Sequence, residues 1–135
     1  MKLTRCLFYV MITVALAVPA AFSQLGTTTT TVTIPFAFTV QDQVLPSGTY
    51  TLEWINTRIY IRSSNLKQGT FTSTHSVEGK ENRERDVLEF TRYGHTYFLS
   101  RIWYAGRRDG RELPVSKLQT EVANKYGGKK VELGF

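Results

Sequence analysis

From Val32 to Val40 the chain alternates without a break: Val32, Ile34, Phe36, Phe38 and Val40 are apolar, with Thr33, Pro35, Ala37 and Thr39 between them. Successive side chains of a strand point to opposite faces, so this pattern requires an extended segment with one face buried. A helix would scatter those five residues around its axis. Pro35 has no N–H to give to a ladder, so the strand belongs at a sheet edge or carries a bulge there.

The rest of the chain continues in the same manner. Leu45-Pro46-Ser47-Gly48 reads as a tight turn, with Pro46 presetting φ and Gly48 tolerating the last turn position. Tyr50, Leu52 and Trp54 then alternate, and Ile59-Tyr60-Ile61 between Arg58 and Arg62 forms the return strand of a hairpin. Thr70–Val77 is a threonine-rich strand, and Glu78–Asp86, with charges of both signs and no apolar period, is a solvated loop. Val87–Thr91 and Thr96–Tyr104 flank Tyr93-Gly94-His95 as a second hairpin. With Tyr93 and Gly94 as its turn, Leu88 faces Leu99, Phe90 faces Tyr97 and Asp86 faces Arg101.

Gly106–Arg111 is a second polar loop. Pro114–Tyr126 is the one helix, with Ser116 and Gln119 at capping-box spacing and a stripe of Val115, Leu118, Val122 and Tyr126. Gly127-Gly128 ends it and a basic tail follows. These elements add up to a mainly β fold: a small antiparallel barrel or sandwich of about six or seven strands with one C-terminal helix. Trp54 and Trp103 are expected to anchor an aromatic core.

The N-terminus has a different character. Lys2 and Arg5 precede an apolar run from Leu7 to Val18, and Ala21-Phe22-Ser23 supplies small residues two apart. That is the form of a secretory signal peptide spanning 1–23, too short in its apolar part to be a spanning helix. Residues 24–31, with five threonines, then form an extended lead-in to a single domain over 32–135. The only cysteine, Cys6, leaves with the signal, so stability has to come from packing rather than disulfides. Loss of Lys2 and Arg5 lowers the net charge from +6 to +4. A balance that small, without a cluster on one face, argues against a nucleic-acid partner.

Ile34-Pro35-Phe36 with Phe38 and Val40, followed by Leu45-Pro46-Ser47-Gly48-Thr49-Tyr50, resembles the opening of small exported proteins common in soil Acidobacteria. Arg92-Tyr93-Gly94, Tyr97-Phe98-Leu99, Trp103, Gly110-Arg111-Glu112-Leu113-Pro114 and Ser116-Lys117 are similar to their later segments, so the resemblance covers most of 32–123. Ser47 stands where those proteins often have alanine, and Ala37 where an acidic residue is frequent. The resemblance implies one exported β-domain. That group has no assigned activity, so it implies no functional residues.

The residues themselves point away from catalysis and cofactors. His75 and His95 are the only histidines and have no metal-ligand spacing around them. No serine lies in a Gly-x-Ser-x-Gly elbow, and Gly127-Gly128-Lys129-Lys130 follows a helix where a phosphate loop would precede one. Glu53, Glu89 and Glu112 are acidic residues near aromatics, expected on a solvated face rather than as a glycosidase pair. Val131, Leu133 and Phe135 alternate as outer-membrane strands do, but the strands are too short and the helix takes up too much length for a membrane barrel.

One cluster invites a ligand: Arg101, Arg107, Arg108 and Arg111, whose guanidinium forks suit carboxylate, sulfate or phosphate. The expected function is an exported, periplasmic or extracellular, non-enzymatic β-domain with a structural or interaction role and no cofactor. The alternative is a small-ligand or anionic-glycan binder using that arginine-rich loop, with an anionic glycan or envelope component as partner. An integral membrane protein is not expected once the signal is removed.

Overall fold

The computed structural model describes residues 27–135. The expected signal segment, Cys6 and the start of the lead-in lie outside those residues. In chain order the elements are β1 (Thr28–Ile34), β2 (Phe38–Val40), β3 (Gln43–Leu45), β4 (Gly48–Ile55), β5 (Arg58–Ser63), β6 (Gly69–Ser73), β7 (His75–Glu78), β8 (Val87–Tyr93), β9 (Thr96–Trp103), β10 (Asp109–Glu112), α1 (Lys117–Ala123) and β11 (Gly128–Gly134). Sheet A has the order β1-β4-β5-β6, and sheet B the order β11-β8-β9-β10-β7. Strands β2 and β3 join sheet B through a parallel bridge between Thr39 and Phe98. Neither sheet closes on itself, so the mainly β fold is sandwich-like and the barrel alternative falls.

The core lies between the sheets. Val32 and Ile34 of β1, Tyr50 and Leu52 of β4, and Ile59 and Ile61 of β5 meet Leu88, Phe90, Leu99 and Ile102 of sheet B, all nearly solvent-free. Burying each such side chain is worth roughly 1.5–3 kcal/mol, and this is the term that orders the strands. Phe38, Val40 and Leu45 close one side, with Phe38 edge-on to both Tyr50 and Phe90.

The expected strand count is too low because several runs divide. The alternation of 32–40 is continuous but serves both sheets: β1 stops at Ile34, the chain bends through Pro35–Ala37, and Phe38 starts again in sheet B. At the bend Phe36 stacks on Tyr97 at 4.2 Å and meets Phe90 edge-on. Thr70–Val77 likewise divides at Thr74, whose N–H and hydroxyl both donate to Thr57 O. That anchor turns β6 of sheet A into β7 of sheet B. The threonine run is not a lead-in either. Thr28–Thr31 pair with Thr51–Trp54, so they extend edge strand β1.

Three further expectations change. In the β8–β9 hairpin Phe90 pairs with Leu99 and Arg92 with Tyr97, so the turn is Gly94-His95, with φ +62° at the glycine. A bulge at Ser100 then places Leu88 opposite Ile102 and Glu89 opposite Arg101. The loop after Gly106 ends at Arg108, because Asp109–Glu112 pair with β7 and β9 as β10. The basic tail is strand β11, antiparallel to β8, with Val131, Leu133 and Phe135 packed on the core margin.

Helix α1 is shorter than 114–126, though Ser116 caps it as the spacing requires by accepting from the Gln119 N–H at 3.1 Å. Its expected apolar stripe is not its buried face. Val115 is 67% exposed and Tyr126 54%, while Gln119 is buried. The physical reason is the surface beneath it. The 113–119 segment borders the polar outer face of sheet B, lined there by Glu89, Thr91, Ser100 and Arg101.

Candidate functional site

Two surfaces carry chemistry, one on the outside of each sheet. On sheet B, strand register places ionisable side chains in one row across five strands. Glu132 pairs with Glu89, Glu89 with Arg101, Arg101 with Glu112, and Glu112 with His75. Arg101 donates from Nε to Glu112 at 2.8 Å and from Nη1 to Glu89 at 3.2 Å. His75 Nε2 sits 2.8 Å from the other Glu112 oxygen. Glu89 and Glu132 would repel across β8 and β11, and Lys130 lies between them, 3.4 Å from one and 2.8 Å from the other.

Glu89 is the centre of this row and is only 4% exposed. The Trp103 indole N–H donates to its second oxygen at 2.8 Å. Trp103, Arg101 and Lys130 crowd around the carboxylate, and the 79–86 loop borders the same face. The Arg83 guanidinium lies 4.3 Å from the Trp103 ring, and the backbone of Arg83 bridges to Ala105. Between loop and sheet runs an open groove of about 750 Å³ whose floor includes Val87, Glu89, Arg101 and Trp103. Desolvation pushes the Glu112 carboxyl up, but hydrogen bonds from Arg101 and His75 outweigh it and hold the group below the ordinary range. Lys130 holds Glu132 down in the same way, with a smaller contribution from Arg83.

The four arginines of the expected anion site are not all brought together: Arg101 stands apart, while Arg107 and Arg111 both lie near Tyr104 and Asp109. Arg101 lines the groove, held by two carboxylates. Gly110 and Glu112 share its side of β10, so Arg111 points to the other. Arg107 forms a fork with Asp109, 2.8 Å from Nε, and lies 5.5 Å from the Tyr104 ring. Arg108 is exposed on the connecting loop. Burial pushes the Tyr104 hydroxyl up to about 12, against the pull of Arg111 and Arg107.

The outer face of sheet A is built differently. Ile59 and Ile61 point into the core, so Arg58, Tyr60 and Arg62 project outward from β5. Phe71 of β6 is register partner of Tyr60, 61% exposed, and their rings stack at 5.5 Å with 25° between planes. The Arg62 guanidinium lies 5.9 Å from the Tyr60 ring. On the other side of β5 come Thr49, Thr51 and Glu53 of β4, then Thr29, Thr31 and Thr33 of β1. Glu53 reaches Arg62 only at 3.9 Å. Leu66 and Lys67 stand at the turn between β5 and β6, beside the aromatic pair.

No family model, curated protein or solved structure matches this chain. Its own residues therefore carry the functional argument. Among the described residues no group of His, Cys, Asp and Glu is placed to hold a metal ion, and no buried side-chain polar atom lacks a hydrogen-bond partner. The row on sheet B is thus a satisfied network in which Glu89, Glu112 and Glu132 each have a cation. The face of sheet A keeps its cations beside the Tyr60–Phe71 stack.

Sequence reasoning placed Glu89 on a solvated face, and that is corrected by its burial. Its outward direction was legible from the alternation with Leu88 and Phe90, but its partners Arg101, Trp103 and Lys130 come from two other strands whose register the pattern does not give. Trp103 is buried as expected, but outside the sandwich core, on the same face as Glu89. The Tyr60–Phe71 platform went unnoticed. Its signal was present in Arg58, Tyr60 and Arg62 at alternate positions opposite two isoleucines.

Proposed function

We propose that this is an exported, non-enzymatic binding domain that works outside the cytoplasm, as in the Acidobacteria proteins it resembles, and engages its partner through the outer face of sheet A. The observation that carries this reading is the Tyr60–Phe71 pair, Phe71 exposed and Tyr60 half-buried, flanked by Arg58 and Arg62, with Glu53 the one acid across those strands. A ring pair with one exposed member, clustered with cations on a sheet face, suits a binding surface. A non-catalytic role is supported by sheet B, where Glu89 and Glu112 are both occupied by Arg101 and are further bonded to Trp103 and His75. The arginine-loop alternative has less support, since Arg101 and Arg107 are already paired with carboxylates. No helix among the described residues is long and apolar enough to cross a membrane.

Export and binding are tested together by fractionating the producing cells and sequencing the N-terminus of the recovered protein. Gln24 is expected as first residue, and the protein is expected to be retained on the isolated envelope or extracellular matrix. Phe71→Ser combined with Arg62→Gln should release it, while Arg107→Ala with Arg108→Ala should not. Equal retention of the face variant and the native protein would overturn this reading.

A further inference from the structure

We infer that the ligand of the sheet A face is an anionic polysaccharide, a chain of carboxylated or sulfated sugars lying across β5 and β6. The inference rests on the reading above and adds the ligand's chemistry. Three features of the face converge on it. First, Tyr60 and Phe71, stacked side by side on neighbouring strands, form one continuous apolar ring surface at the free edge of sheet A. A sugar ring offers a flat C–H face to such a surface, with its hydroxyls turned to the sides.

Second, Arg58 and Arg62 stand two residues either side of Tyr60 on the same face of β5. At the rise of a strand their Cα atoms are roughly 13 Å apart, so two anionic groups of one chain can each meet a guanidinium while a sugar between them covers the ring. Both arginines are exposed, and the 3.9 Å approach of Glu53 to Arg62 leaves the fork open to a better acceptor. Charge therefore selects a polyanion over a neutral glycan. It also disfavours a second copy of this chain, which would bring the same cations to the interface.

Third, threonine hydroxyls flank the aromatic strip on β4 and β1. Thr33 and Thr49 are joined at 3.0 Å, with Thr31 and Thr51 paired next to them. Hydroxyls that can donate or accept suit the hydroxyls of a sugar chain. An acidic peptide would instead be expected along the unpaired edge of β6, leaving those hydroxyls unused.

The test measures binding of the purified full chain to polygalacturonate, dextran sulfate, neutral dextran and polyglutamate, by affinity electrophoresis over a range of salt. Binding to polygalacturonate or dextran sulfate is expected, weakening as salt rises, with little retardation by neutral dextran. Arg58→Gln with Arg62→Gln, and separately Phe71→Ala, should each raise Kd by about tenfold or more. Arg107→Ala with Arg108→Ala should leave it unchanged. The unfolding midpoint of each variant is measured alongside, and is expected to stay near that of the native protein because the replaced side chains are exposed. Preference between the two polyanions identifies carboxylate or sulfate as the recognised group. Equal binding to polyglutamate with no effect of Phe71→Ala would overturn the polysaccharide and mark an acidic protein as partner, leaving the face itself intact. Polysaccharide binding insensitive to all face variants would overturn both.

Discussion

At the residue scale, Glu89 shows how a charged side chain becomes structural. It lies on the polar face of its strand, yet it is buried, and three donors compensate it: the Trp103 indole, Arg101 and Lys130. Removing one member of such a set leaves the others uncompensated, which costs more than the set contributes over an apolar equivalent. Glu89→Ala is therefore expected to destabilise the fold by about 3 kcal/mol, and Glu89→Gln, which keeps the acceptor for Trp103, by clearly less. Urea unfolding of the two variants measures the difference, and equal losses would contradict it. Glu112 provides the pH dependence. Its folded carboxyl titrates below the ordinary 4.5, so the unfolded chain binds more protons as pH falls past that value. The stability contributed by Glu112 is complete above about pH 4.5 and is lost through the acid range beneath it. Glu112→Gln should flatten the acid limb of the stability curve below about pH 4.5, with Glu132 supplying part of what remains. An unchanged limb would show that the Arg101 and His75 bonds do not persist in solution.

At the scale of elements, the joints between strands depend on a few close approaches. Gly110 of β10 lies against β9 so tightly that an added Cβ would stand 2.5 Å from the Trp103 ring and 2.7 Å from Ile102 O. The second neighbour is backbone and cannot swing away. Gly110→Ala should cost about 2 kcal/mol by forcing β10 outward, and should perturb the Trp103 fluorescence that reports the same joint. Tyr50 is a second fastening. Its hydroxyl donates to Pro46 O at 2.6 Å, tying the turn before β4 to the strand it feeds. Tyr50→Phe keeps the packing against Phe38 and loses that bond, an expected loss of about 1 kcal/mol by thermal unfolding.

These joints also mark where the sequence stops being informative. The alternation in 32–40, 50–54 and 58–62 made the strands and their buried faces legible, because period two is a direct consequence of backbone geometry. It could not show that Pro35 passes the chain from one sheet to the other, since the buried set Val32, Ile34, Phe38 and Val40 keeps its period through that bend. Nor could it show that Thr74 does, since a β-branched threonine marks no turn. The bulge at Ser100 was hidden for a related reason. Together with the turn at Gly94-His95 it moves the partner of Leu88 from the expected Leu99 to Ile102, and both are apolar. Of the surfaces, the outward set Arg58, Tyr60 and Arg62 could be read from the pattern alone. The stacking of Tyr60 on Phe71 required the β5–β6 register, and the separation of Arg101 from Arg107 and Arg111 required that of β9 and β10.

For the whole molecule, the decisive feature is that one core serves both sheets. Chain segments that switch sheets, at Pro35, at Pro46-Ser47 and at Thr74, fasten the layers to each other covalently. No part of sheet A can separate without exposing the underside of sheet B. Such a sandwich should unfold in one cooperative step, and the two tryptophans are placed to check it. Trp54 packs on the core from sheet A, edge-on to Tyr104, whereas Trp103 lies under Arg83 on the far side of sheet B. Trp54→Phe leaves Trp103 as the only indole, and Trp103→Phe leaves Trp54. In each variant the fluorescence transition in urea should coincide with the loss of far-ultraviolet circular dichroism, even though the two midpoints differ between variants. A Trp103 transition that precedes the circular-dichroism change would mean that the 79–86 loop lifts from sheet B before the core melts. The groove around Glu89 would then be a locally opening unit rather than part of the sandwich.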